Sequence, residues 1–274
     1  MIARVRRHNA LVRLLVLAAS ALCLGAVGRA QTQPGSSCQK ELSTRFAYDV
    51  VSVKPYDAHG SPSIYINSDT HAFSANLSVA MLLQYAFGVL MADEISGIPA
   101  WARSEQYAVD ARMDARTTEQ LDRLPGEKQQ DELRKVVRSL LAERFGLEFH
   151  RETRLLHVYD LSVARGGLKM KASKATTQTR FVMDHDHLDA TGIAMSNLVR
   201  SLSHITGRLV VNKTGMTGRY DVSLSWAADM DADAAQSGPS IFTAVQEQLG
   251  LKLDSAREPV ETIVIDKIER PTAN

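Results

Sequence analysis

Phe145-Gly146-Leu147-Glu148-Phe149 and Leu249-Gly250-Leu251-Lys252-Leu253 are two versions of one pentad. In each, a glycine separates a helical apolar pattern from an alternating one. Glycine enters the left-handed region without steric cost, so it suits the position just past a helix C-terminus. Upstream of Gly146, residues Leu133, Val136, Val137, Leu140, Leu141 and Phe145 recur at helical spacing and form one apolar stripe. Upstream of Gly250, the corresponding stretch opens at Gly238-Pro239, with proline suited to a first helical turn. It continues through Ile241, Phe242, Val245 and Leu249.

Working outward, the same order of elements recurs. Tyr107, Val109, Ala111 and Met113 alternate, as do Tyr220, Val222, Leu224 and Trp226. Both series read as strands with one buried face. A further helix precedes each strand. The first follows Asn76, a candidate N-cap, and carries Val79, Leu82, Leu83 and Ala86; the second carries Met195, Leu198, Val199, Leu202 and Ile205. Gly88 and Gly207 stand where these helices should end. Strands are expected before them, near 71–75 and 180–188. After each pentad glycine, a strand (147–151 and 251–254), a short turn and a last strand are expected.

These signals give an α+β protein made of two tandem two-layer repeats, each strand–helix–strand–helix–strand–strand. Helices with one apolar stripe need a sheet face to cover. Alternating strands favour sheets covered on one face only. The first repeat spans 46–165, with extra strands near 46–54 and 63–67. A polar, lysine-rich linker covers 166–179, and the second repeat spans 180–270.

The N-terminus reads as an export signal over residues 1–30. Arg4, Arg6, Arg7 and Arg13 precede an apolar run from Leu14 to Val27, and Gly28-Arg29-Ala30 places small residues at −3 and −1 of a cleavage site. The apolar run is too short for a comfortable membrane span. Leu22 before Cys23 breaks a lipoprotein signal. Removal of 1–30 leaves 27 basic and 31 acidic residues, a net charge of −4. Nucleic-acid binding calls for a basic surplus, which this chain lacks. Residues 31–45 form a Gln/Pro/Gly/Ser tether holding Cys38, the one cysteine left after cleavage. No internal disulfide and no cysteine-rich metal site is therefore open to the mature chain.

Chemistry-bearing patterns are sparse. Asp184-His185-Asp186-His187-Leu188-Asp189 offers the best metal candidate. Alternate residues on a strand share a face, so His185, His187 and Asp189 are expected to converge if the stretch is extended. Asp229, Asp231 and Asp233 mimic the start of a calcium loop, but Ala234 and Ser240 occupy its glycine and glutamate positions. His150-Arg151-Glu152 has the H-x-E of zinc deaminases without their cysteine pair. No nucleophile elbow, P-loop or dinucleotide fingerprint is present. Arg138, Arg144, Arg151 and Arg154 interleave with Glu143, Glu148 and Glu152, as a solvated mixed-charge surface does. Trp101 and Trp226 read as core residues, with partner anchoring as the alternative.

Several stretches, taken together, carry a resemblance. They are Asp49-Val50-Val51-Ser52-Val53-Lys54-Pro55, Ile95-Ser96-Gly97-Ile98-Pro99-Ala100-Trp101, Leu140-Leu141-Ala142-Glu143-Arg144-Phe145, His150-Arg151-Glu152-Thr153-Arg154, Lys213-Thr214-Gly215-Met216-Thr217-Gly218-Arg219-Tyr220-Asp221 and Gln246-Glu247-Gln248-Leu249-Gly250-Leu251-Lys252-Leu253. In this order they resemble the large paralogous family of exported, uncharacterised acidobacterial proteins. That family has no established activity and supplies no catalytic residues. Some of its members carry this region beside a membrane-embedded regulatory metallopeptidase, which implies sensing or binding outside the membrane. From Gly192-Ile193 through Leu249-Gly250-Leu251, the order of elements is also similar to the short N-terminal domain of secretins and TonB-dependent receptors, a partner-binding module.

The expected function is that of an exported, non-enzymatic binding protein without a cofactor. It would engage an envelope protein or ligand through a sheet edge or the cleft between repeats. The alternatives are a metal-dependent envelope enzyme using His185 and His187, and an extracytoplasmic sensor acting on a membrane regulator. Cleavage after Ala30 predicts that intact-mass analysis of the exported protein finds Gln31 at its N-terminus. Retention of residues 1–30 would refute the signal reading.

Overall fold

The computed structural model describes residues 41–42, 44–56, 61–227 and 238–271. The expected signal with Cys23, the tether as far as residue 40 with Cys38, and Asp229, Asp231 and Asp233 lie outside the described residues. The elements run β1 (Val50–Pro55), β2 (Ser63–Ile66), β3 (Phe73–Ser78), α1 (Val79–Phe87), a 3-10 turn (Ala92–Glu94), β4 (Ile95–Ser96), α2 (Ala100–Ser104), β5 (Gln106–Arg112), α3 (Ala115–Asp122), α4 (Gly126–Phe145) and β6 (Glu148–Val163). They continue with β7 (Lys171–Ala172), β8 (Arg180–Met183), β9 (His187–Ala194), α5 (Met195–Thr206), β10 (Val210–Asn212), β11 (Arg219–Ser225), α6 (Ile241–Ala244, extended by a π-helical turn over Val245–Leu249) and β12 (Leu251–Lys267). The protein is α+β.

The helices start and stop where side-chain chemistry directs. Asn76 does not cap α1; it stays inside β3, paired with Ala108 and Ser63. Ser78 takes the role and accepts from the Met81 N–H at 3.3 Å. Asp114 caps α3 by accepting from the Thr117 N–H at 2.8 Å. Gly88, Gly146, Gly207 and Gly250 end their helices at φ values of 67°, 60°, 62° and 70°.

Three four-stranded sheets result, ordered β1-β5-β3-β2, β7-β11-β9-β8 and β10-β6-β12-β4. The first two are antiparallel throughout and have matching orders, first strand beside last and third beside second. The expected linker 166–179 contributes β7 to the second of them, with Tyr220 opposite Ala172.

The third sheet departs from expectation. No turn follows Arg151 or Asp254. Instead β6 and β12 each run unbroken and pair antiparallel with one another, from Leu251 opposite Val163 to Lys267 opposite Glu148. Their middles are polar and solvated, a composition that reads as a turn, yet each has a partner strand for its backbone groups. Pro259 illustrates the fit. The Tyr159 N–H points away from β12, to Leu209 O at 2.9 Å, so Leu155, four residues earlier, faces the same way. Pro259 lies opposite Leu155, so its missing N–H falls on the open side of the ladder. Two parallel strands then cross over: β4 pairs with the end of β12, and β10 with the end of β6.

Each long strand consequently serves two cores. The first lobe packs Phe73, Val109, Leu83 and Leu141 with Phe149 from the start of β6 and Ile263 and Ile265 from the end of β12. The second packs Leu188, Leu224, Leu198 and Leu249 with Leu251 from the start of β12 and Leu161 from the end of β6. Trp226 is 8% exposed and belongs to this second core. Arg138, expected on a solvated surface, is buried with its guanidinium 5.4 Å from the Phe87 ring. A smaller cluster of Phe46, Leu121, Leu133 and Val136 fills the far side of α4.

The pentad glycines differ in what surrounds them. A Cβ on Gly146 would meet only the Glu269 carboxylate, at 3.5 Å, whereas one on Gly250 would lie 2.1 Å from Gly167 O. Gly146→Ala is expected to lower stability by about 1–2 kcal/mol, the left-handed cost alone. Gly250→Ala should lose more, because backbone must move. Urea unfolding of the two variants checks this; equal midpoints would refute it.

Candidate functional site

The Asp184–Asp189 stretch is not one extended strand. The Asp184 N–H donates to His187 O at 2.9 Å, which closes a two-residue turn over His185 and Asp186. Asp184 Oδ1 favours the turn by accepting from the His185 N–H at 2.8 Å. His185 therefore sits in a hairpin turn. His187 and Asp189 follow on β9, on the face opposite the buried Leu188. The expected set of His185, His187 and Asp189 is not gathered as ligands. His185 Nδ1 contacts Asp184 and His187 Nδ1 contacts Asp186, each at 2.8 Å. Among the described residues, no group of three or more His, Cys, Asp or Glu is placed to hold a metal ion.

The hairpin creates something else. β8 is an edge strand of its sheet, on the side opposite β7. Hydrogen-bonded pairs alternate along an antiparallel ladder. Counting from the bonded pair Asp184–His187, Val182 bonds to β9, while Phe181 and Met183 turn their backbone groups outward. No strand lies beside them among the described residues. Phe181 and Met183 face the buried Ala190 and Leu188 in register, so their side chains share the α5 side of the sheet.

A groove of about 420 Å³ lies between β8 and α5. Phe181 and Met183 line it from the strand, Asn197, Arg200 and His204 from the helix, and Leu90 from the first lobe. A second concavity, about 620 Å³, adjoins it, shares Met183 and His204, and reaches His185, Trp226 and Phe242. Phe181, Val182 and Phe242 are exposed large apolar residues. Burial in a shared core would have removed them from water; here an edge strand and a helix end leave them accessible.

The charge at the groove is uneven. Arg200 makes no ion pair among the described residues, and its guanidinium reaches Gly88 O at 3.5 Å. Arg134, from α4, lies against the same glycine, within 3.2 Å of where a Cβ would stand. Partial desolvation and the Arg134 cation both push the Arg200 pKa down. Burial raises the Tyr85 pKa against the opposing effect of Arg134, and its hydroxyl has no hydrogen-bond partner. Glu94, whose charge opposes that downward push on Arg200, accepts from the Leu90 and Met91 N–H groups at 2.8 Å each.

The other expected residues are accounted for structurally. His150 Nδ1 pairs with Asp266 at 2.8 Å. Arg151 holds Glu41 and Glu261, with contacts of 2.7 and 2.6 Å, and Arg154 pairs with Glu152. Trp101 is half-buried beneath the Arg270 guanidinium, 5.0 Å from its ring. Sequence reasoning passed over Phe181, Arg134 and Arg200. The apolar pair Phe181-Val182 beside a turn was the one available signal of an open edge.

An α+β frame with a grooved sheet edge defines the class. The chain belongs to a family of proteins of unknown function, DUF3738, whose model matches residues 80–268. No curated protein and no solved structure matches the chain. Among the described residues, no helix is long and apolar enough to cross a membrane.

Asp186 raises the His187 pKa through their hydrogen bond, and its own pKa falls for the same reason. A raised folded-state value means the contact stabilises the fold fully below the ordinary histidine pKa. That contribution fades as pH rises through the raised one. NMR titration should place His187 above an ordinary histidine, and Asp186→Asn should bring it down. An unshifted His187 in the unmutated protein would refute the pairing.

Proposed function

We propose that the protein is an exported binding protein that takes an extended peptide segment of an envelope protein by strand addition to β8. One observation carries this reading: the outward backbone groups of Phe181 and Met183, beside an apolar groove. An added strand satisfies such groups through main-chain hydrogen bonds, and its alternate side chains enter the groove. The basic, acid-free N-terminus followed by an apolar run supports export.

The same reading treats 46–165 and 180–270 as copies of one unit. Support comes from the paired pentads, the matching orders of the two outer sheets and the reciprocal crossing of β4 and β10. On that view β2 is the counterpart of β8. Ile64 and Tyr65 are exposed on β2, but the two grooves described both touch β8 and α5.

The test uses a fluorescently labelled, end-blocked hexapeptide of alternating Val and Gln. Phe181→Pro removes an outward N–H while sparing the bonds to β9. It should weaken peptide binding by about tenfold or more, the equivalent of 1.4 kcal/mol, with the thermal unfolding profile retained. Fluorescence anisotropy measures the binding. Unchanged affinity in the folded variant, or no binding by the unmutated protein, would overturn strand addition.

A further inference from the structure

We infer that the segment taken on β8 is acidic, with a carboxylate held between Arg200 and Arg134 at the junction of the lobes. This rests on the peptide-binding reading above and names the chemistry of its ligand. Three observations carry it. First, Arg200 lines the groove that Phe181 and Met183 open, so a side chain of a strand beside β8 comes within its reach. Second, Arg134 and Arg200 approach Gly88 from different lobes, α4 on one side and α5 on the other. Two guanidiniums so placed repel, and Glu94, the acid whose charge reaches Arg200, is already held by two backbone N–H groups. An arriving carboxylate relieves that repulsion and accepts from donors that have weak partners or none. The existing contacts are long, with Arg134 3.5 Å from Asp131 and Arg200 3.5 Å from Gly88 O. Third, Arg134 Nε, which lies against Gly88, is buried without a hydrogen-bond partner, and so is the hydroxyl of Tyr85, whose pKa is raised by burial against the opposing charge of Arg134. A buried donor without a partner marks where a ligand oxygen gains most.

Only one of the two edge strands has such an arginine on its neighbouring helix. Aligning the helix-ending glycines Gly88 and Gly207 sets Arg200 of α5 against Met81 of α1. The position is exposed in both helices. The charge therefore distinguishes β8 from its counterpart edge, and it turns a general strand-addition surface into one selective for acidic segments.

The experiment compares three labelled, end-blocked hexapeptides, Val/Glu, Val/Gln and Val/Lys, on the purified protein by fluorescence anisotropy. Val/Glu should bind about tenfold tighter than Val/Gln, and Val/Lys more weakly than both. The margin should shrink as salt is raised. Arg200→Gln should abolish the preference, so that Val/Glu and Val/Gln bind alike, and Arg134→Gln should reduce it likewise. Equal binding of Val/Glu and Val/Gln overturns the inference, and so does a preference that survives in both arginine variants. If Phe181→Pro spares binding but Arg200→Gln erases the Glu preference, the anion site stands and strand addition falls. If no peptide binds, both fall together.

Discussion

The antiparallel ladder between β6 and β12 is the constraint on which the rest of the structure depends. It runs the full length of both strands, from Leu251 opposite Val163 to Lys267 opposite Glu148. A strand of sixteen or seventeen residues is long by the standards of globular proteins. It needs that length because its two ends lie in different cores. Phe149 and Leu161 of β6 are both buried, one in each lobe, and the solvated stretch between them bridges the distance. The bridge is tied laterally by Arg151, which grips Glu261 on the partner strand and Glu41 outside it. Thr262, fully buried, adds a bond from its hydroxyl to Glu152 O at 3.1 Å. Two lobes joined in this way have no single-chain hinge between them.

That double connection bears on the groove. Leu90 lines it from one lobe and Phe181, Met183 and Arg200 from the other, while Arg134 of the first lobe stands at Gly88 near Arg200. A junction free to rock would let Arg134 and Arg200 separate and shed their mutual repulsion. The ladder ties the lobes through two strands, which opposes such a separation. Preorganisation of this kind lowers the ordering cost of binding.

How much of this the sequence disclosed depends on whether a feature is local. The pentad glycines, the apolar stripe ending at Phe145 and the alternation through Val222 and Leu224 are local, and each specifies its element. The continuous strands were concealed for a physical reason. Glu152-Thr153-Arg154 and Arg257-Glu258-Pro259 carry no core pattern, because they lie outside both cores. Polar, proline-bearing residues between two apolar stretches look like a turn when the partner strand is a hundred residues away. The Asp184–His187 hairpin was hidden the other way round. Alternating Asp and His mimic strand periodicity, and only the register of β8 against β9 shows the break. Arg134 and Arg200 are ordinary helix-surface residues in sequence; their proximity exists only after the lobes join.

The exchange of strand ends also dictates an order of assembly. The first core holds Val53 and Phe73, yet it is closed by Ile263 and Ile265, about two hundred residues further along. A chain emerging N-terminus first presents most of that core before the residues that seal it exist outside the ribosome. Its apolar surface must wait, and contacts of such long sequence separation form slowly. The second core, by contrast, needs from the first half only the end of β6, which has already emerged. The lobe encoded first is therefore the lobe completed last.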